Sequence, residues 1–372
     1  MTVGATGIPD EVEEVGEVLY HYYWIIKTLF AYYCTMTSKS VCELAGNAWF
    51  QFLRDFRLVS KRSQFCKQSD MDMLIIMVDN ASAVHDRNEK KHAPPKTASW
   101  EGVPAIRKNG GQQGKSKALD RVEFLFALVN LAINKYVRTK IIVDVSEAVE
   151  RLFSVDIQAK MGSHLDDPNV FRRDELYSRE VSAVLAFHSE SLSNIFVGIA
   201  GVGGGPGTAS LDMDEWLASL RALDFIGQDV TERDAVLCFT WSRLIVTDTT
   251  SLRGGRKDSS LSLDGWVEAM CRLAALKALP TFPEIQDALL ANGGEYMEML
   301  KRTDSEAYAA FMEERSTPWG QFPTTHPLFH CVAHVVEMSI HTIESHLNVV
   351  AGDGVLTQKE VRKWIASHVA KS

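Results

Sequence analysis

Apolar residues recur along the chain at helical spacing, and an all-α architecture is expected from that periodicity. The pattern also repeats. Trp49-Phe50-Gln51-Phe52-Leu53-Arg54 resembles Trp216-Leu217-Ala218-Ser219-Leu220-Arg221 at an offset of 167 residues, and the same offset carries Tyr20-His21 to Phe187-His188. Further on, Phe124, Ala127, Leu131, Ala132 and Lys135 correspond to Trp266, Ala269, Leu273, Ala274 and Lys277 at an offset of 142, so the first copy holds 25 extra residues between its matched helices. They fall between His85 and Lys117, where the periodicity stops and Pro94-Pro95, Gly110-Gly111 and several lysines intervene. This stretch, about 85–118, is expected to be a disordered or loosely ordered surface insertion.

The repeated helices also share a register. Leu44, Leu119, Leu211, Leu261 and Leu356 each precede by five residues Trp49, Phe124, Trp216, Trp266 and Val361. Four residues later stand Leu53, Leu128, Leu220, Met270 and Ile365, on the same helical face. This matches the EF-hand template, whose loop carries an aliphatic residue at position eight before an exiting helix. The predicted fold is therefore all-α, with tandem EF-hand-like helix–loop–helix pairs and degenerate loops. One pair spans 1–160 and a second 161–300; a linker covers 301–326, rich in short helices and prolines, and a single C-terminal unit covers 327–372.

Calcium needs six to eight oxygen ligands from fixed loop positions, ending in a bidentate Glu. Positions one, three, five and twelve are Thr37, Lys39, Val41 and Ala48 in the first loop, and Gln112, Gly114, Ser116 and Glu123 in the second. They are Gly204, Pro206, Thr208 and Glu215 in the third, and Gly254, Arg256, Asp258 and Gly265 in the fourth. The fifth comes nearest, with Asp353, Gly354, Leu356 and Glu360 at positions five, six, eight and twelve, but Val349 and Ala351 bring no side-chain oxygen. No calcium and no other cofactor is expected; Asp353 and Glu360 are the best oxygen donors. Paired units can bury a common core without metal.

The segment from Ala48 to Tyr136 resembles the tubulin-polymerisation-promoting protein family. The residues that carry the resemblance are Phe52-Leu53-Arg54-Asp55-Phe56-Arg57-Leu58-Val59, Asp70-Met71-Asp72-Met73-Leu74-Ile75, and Leu119-Asp120-Arg121-Val122-Glu123-Phe124 with Ala127-Leu128. The resemblance implies an EF-hand-derived helical core with eroded loops that binds tubulin and bundles microtubules, and related modules occur in cilia and flagella. This chain departs from the family in its insertion, its second copy and its C-terminal half unit.

Charge and chemistry sharpen the expectation. The net charge of −9 argues against nucleic acid as a partner. Against that balance, the insertion holds Arg87, Lys90, Lys91, Lys96, Arg107, Lys108, Lys115 and Lys117, and the matching loop of the second copy holds Arg253, Arg256 and Lys257. Two basic loops in an acidic chain suit an acidic surface such as that of tubulin. The six cysteines lack metal or disulfide spacing and suit reduced thiols. The acidic N-terminus is unlike a signal peptide. The aromatic stretch Tyr20–Tyr33, interrupted by His21 and Lys27 and too short to span a bilayer, reads as a buried helix, so no membrane is expected. Gly114-Lys115-Ser116 lacks the upstream glycine of a phosphate loop. His330, His334, Glu337 and His341 share one helical face. His-xxx-His is a metal spacing, yet a polar face, or packing by hydrogen-bonded rings, is the simpler account. No catalytic motif stands out. The expected function is a non-catalytic structural protein of the cytoplasmic cytoskeleton, cilium and flagellum included, with tubulin or another cytoskeletal protein as partner. The alternatives are a calcium-independent adaptor for a partner helix and a metal-dependent protein using the C-terminal histidines.

Overall fold

The computed structural model describes residues 9–37, 41–78, 80, 118–165, 167–200, 209–244, 246, 251–323, 326–347 and 355–368. It is predominantly helical, as the periodicity predicts. The chain divides into two compact units, Met1–Leu165 and Asp166–Ser372.

In the first unit, α1 (Asp10–His21) and α2 (Tyr23–Cys34) lead into a two-residue strand β1 (Leu44–Ala45) and α3 (Gly46–Asp55). Helix α4 spans 68–78. After the insertion, β2 (Ala118–Leu119) leads into α5 (Arg121–Ala132), and α6 (Val145–Arg151) follows. Both α5 and α6 run on into a π-turn, Ile133–Val137 and Leu152–Ile157. The strands pair antiparallel with Leu44 opposite Leu119, two of the five leucines in the predicted register.

The second unit repeats the plan. A short α7 (Pro168–Phe171) with a π-turn through Leu176 precedes α8 (Arg179–Phe187), α9 (Ser189–Ala200), α10 (Met213–Ala222), α11 (Glu232–Ser242), α12 (Leu252–Ser259) and α13 (Leu263–Leu276). Leu211 and Leu261 form an antiparallel bridge through backbone hydrogen bonds of 2.9 and 2.8 Å. The remaining helices are α14 (Phe282–Asp287), α15 (Gly293–Thr303), α16 (Ser305–Arg315), α17 (Leu328–Leu347) and α18 (Gln358–His368). Thus α16 lies in the stretch expected as a linker, and α17 and α18 belong to the second compact unit.

The core follows the predicted register. All five leucines, the five residues after them and the five at the next helical position are buried. A buried large side chain of this kind contributes about 2 kcal/mol. Around Trp49, the rings of Phe52 and Phe124 lie 5.4 and 6.0 Å away. The exits of α3 and α10 also match. Arg57 and Asp224, 167 residues apart, both take left-handed backbone (φ 54° and 57°). The next amide then reaches back into the helix, Leu58 to Leu53 and Phe225 to Leu220.

The aromatic stretch Tyr20–Tyr33 is not one buried helix. It breaks at Tyr22, leaving Tyr20, Tyr23 and Trp24 exposed while Ile26, Leu29, Phe30 and Tyr33 enter the core. The second unit breaks likewise at His188, where α8 and α9 meet at 68°. Among the described residues no single helix is long and apolar enough to cross a membrane.

Long-range charge pairing fastens α7. Glu268 on α13 is buried and accepts from Arg172 Nε (2.9 Å) and from Arg272 Nε and Nη2 (3.0 and 2.7 Å). Arg272 also donates to the Pro168 carbonyl and lies 4.4 Å from the Phe171 ring centre. Removing one partner of a buried pair leaves the other charge unsolvated. Glu268→Gln is therefore expected to lower the unfolding free energy by about 3 kcal/mol in denaturant titration. A loss under about 1 kcal/mol would show that the network does not hold α7.

Candidate functional site

The cations of the second copy were expected on a loop. The structure instead makes that segment a helix: α12 occupies the first half of the fourth loop, capped by Ser251 Oγ, which accepts from the Gly254 amide at 3.1 Å. At its other end Arg243 Nη1 donates to the Asp258 carbonyl at 2.6 Å, and Ser260 Oγ donates to the Arg256 carbonyl at 2.6 Å. The helix puts Gly254 and Asp258 on its buried side and Arg256 on its exposed one, so the three positions do not converge. It also sets Arg253, Arg256 and Lys257 at i, i+3 and i+4, where they form one exposed face. Arg256 and Lys257 lie in the last turn, where the helix dipole favours cations. The cations Arg87, Lys90, Lys91, Lys96, Arg107, Lys108, Lys115 and Lys117 lie outside the described residues.

The glutamates expected at position twelve of the loops act as helix caps. Glu123 Oε2 accepts from the Asp120 amide at 2.8 Å while Asp120 accepts from the Glu123 amide, a capping box that starts α5. Asp212 and Glu215 do the same for α10 at 3.0 and 2.9 Å. On α18, Glu360 Oε2 accepts from the amide and hydroxyl of Thr357 at 2.8 and 2.7 Å. Those bonds, the backbone one foremost, hold the Glu360 carboxyl below its ordinary range. Asp353, its expected companion, lies outside the described residues, as do most positions one to five of the second, third and fifth loops.

The histidine helix forms as expected, but its packing differs. His334 is fully buried and neither ring nitrogen has a hydrogen-bond partner. Its ring lies 4.6 Å from Phe282 and 6.5 Å from His326. The first turn of α15 approaches it so closely that a methyl on Gly293 would sit 3.3 Å from Nδ1. Burial, then His326 and His330, push the His334 pKa down to about 4. His330 is half-buried against Phe282, and burial lowers its pKa too. His341 lines a groove elsewhere on the helix. Among the described residues no three His, Cys, Asp or Glu side chains come together in a way that could hold a metal. No disulfide joins the six cysteines to one another, and all but Cys42 are buried.

That groove, about 510 Å³, lies among the ends of α10 and α13 and helices α15, α16 and α17. Its floor is Met297, Met312, Met338 and Tyr308. The rim cations are already paired, Lys301 with Asp224 at 3.3 Å and Arg302 with Glu298 at 3.5 Å. Its chemistry is that of a packing surface.

Comparing the two units exposes a surface the sequence did not single out. At the offset of 142, Phe126 corresponds to Glu268 and Asn130 to Arg272. In the second unit those positions are buried under α7. In the first, Phe126 is 59% exposed and Asn130 half-buried, and one turn earlier Val122 is exposed, as is its counterpart Asp264. No protein family, no curated protein and no solved structure matches this chain.

Two measurements test the site. Glu215→Ala and Glu360→Ala should each cost about 1 kcal/mol of stability through loss of the cap, equally with and without millimolar calcium; a cost that appears only with calcium would restore a ligand role. For His334, a folded pKa below the unfolded value means its stabilisation is complete above about pH 6.5 and is lost as pH falls toward 4. The loss should reach about 3 kcal/mol. His334→Leu, close in volume, should flatten that dependence; an unchanged pH profile would refute the assignment.

Proposed function

We propose that this chain is a non-catalytic structural protein of the microtubule or flagellar cytoskeleton, built on tandem EF-hand-like pairs that hold together without calcium. The observation that carries the reading is the three-cation face of α12 on a chain of net charge −9. Helices fix side-chain spacing better than loops do, so the cations meet an acidic polymer already arranged. The EF-hand part of the reading is supported by the two leucine pairings, Leu44 with Leu119 and Leu211 with Leu261, both at position eight. The uncovered Val122 and Phe126 supply an apolar patch of the kind assemblies use.

The adaptor alternative has less support. A target helix needs a free groove on the pair. Here α6 packs against α1 and α5, and α17 packs against α8 and α13, so each unit already sets one of its own helices against the exit helix of its second hand.

Co-sedimentation with polymerised microtubules across a salt series tests the proposal. Wild type should pellet, less so as salt rises past about 0.1 M. Arg253→Glu, Arg256→Glu and Lys257→Glu together should weaken binding by about tenfold, and deletion of residues 86–117 should weaken it further. No pelleting at any salt would sink direct lattice binding and make the adaptor the leading alternative.

A further inference from the structure

Helix α18 belongs to the one helix–loop–helix unit without a second such unit opposite it, and it is seated on α9. Val361 lies over Gly198, where a Cβ would overlap the Val361 Cγ1. Asn194 Nδ2 donates to the Leu356 carbonyl at 2.8 Å. At the far end, Trp364 is fully buried and its indole N–H donates to Nδ1 of His346 on α17 at 3.0 Å. That nitrogen must therefore carry no proton. The His346 ring stacks on His368 with centres 4.3 Å apart and planes 7° apart. His368 Nδ1 is held 3.2 Å from the Trp364 carbonyl and 2.7 Å from Ser367 Oγ.

We propose that His346, Trp364 and His368 form a pH-sensitive latch, which holds α18 on α9 at neutral pH and lets it go in mild acid. A proton on His346 Nδ1 sets donor against donor, strands a buried indole N–H, and places a cation against the stacked His368 ring. Burial, and then His368, hold the His346 pKa below its ordinary value. The surrounding groups do not offset this. From α18, the His368 ring faces His346. From α15, Lys301, Arg302 and Glu298 share the groove with His346, and both cations are paired with carboxylates. Lys277 on α13 is paired with Asp229 at 2.8 Å. His341 and Glu344 lie on α17 itself. With the folded pKa below the unfolded one, the latch is intact above about pH 6.5 and weakens as pH falls below it.

Hydrogen exchange of the intact chain tests this, after correction for the intrinsic pH effect. Between about pH 7.5 and 5.5, protection over 358–368 should fall about tenfold more than protection of α11 and α13. His346→Asn keeps an acceptor near the Nδ1 position without a titrating ring, so its α18 protection should not change with pH. His368→Phe keeps the stack and removes the neighbouring charge, so its loss should be smaller than wild type's. Unchanged protection in wild type overturns the latch. An equal acid loss in wild type and His346→Asn also overturns it, and assigns the effect to His334.

Discussion

In each unit, two leucines distant in sequence meet through the backbone, Leu44 with Leu119 and Leu211 with Leu261, and the rest of the packing is counted from that contact. The pairing satisfies backbone groups that would otherwise be stranded beside a buried side chain. It also fixes where each exit helix begins. Five residues on, Trp49, Phe124, Trp216 and Trp266 then point inward, and one more turn brings the next apolar residue onto the same stripe. A slip of one residue at the leucines would turn those rings toward solvent. That cost keeps the arrangement in place.

The segments ahead of the exit helices differ between the units in ways that physical chemistry accounts for. A glutamate at position twelve sits three residues after position nine, the spacing of a capping box. Glu123, Glu215 and Glu360 therefore start helices, with Asp120, Asp212 and Thr357 as partners. The fourth loop has filled with helix α12. The units have diverged as well. On α13 the outer face carries Glu268 and Arg272, which only a charged cover such as Arg172 can satisfy. On α5 the same positions carry Phe126, which is exposed, and Asn130, which is half-buried.

What was legible in the sequence was whatever is local or periodic. The leucine register, the buried aromatics and the helical character all follow from spacing. The capping boxes were also legible, as Asp120-x-x-Glu123 and its counterparts, but a template that counts oxygen ligands reads those glutamates as remnants. Helix α12 was hidden because Gly254 and Gly255 cost about 1 kcal/mol each in a helix, and its support, Arg243 on the Asp258 carbonyl, comes from 15 residues away. The clamp between Arg172 and Glu268 spans 96 residues and leaves no trace in periodicity. The burial of His334 was missed for a related reason: helical spacing puts it in line with His330 and His341, but only Phe282, from another helix, decides that it is dry.

Ahead of α18, the corresponding leucine has no strand partner among the described residues. Leu356 is buried as fully as its four counterparts, so its backbone carbonyl still needs a donor. The side chain of Asn194 supplies one. A single amide replaces a strand pair, and Gly198 opens the space that lets Val361 approach α9. Helix α18 is held by Asn194 at its start, by the buried Val361, Trp364 and Ile365, and by the hydrogen bond from Trp364 to His346. The histidine-dependent bond at Trp364 is thus the contact through which acid would act on α18.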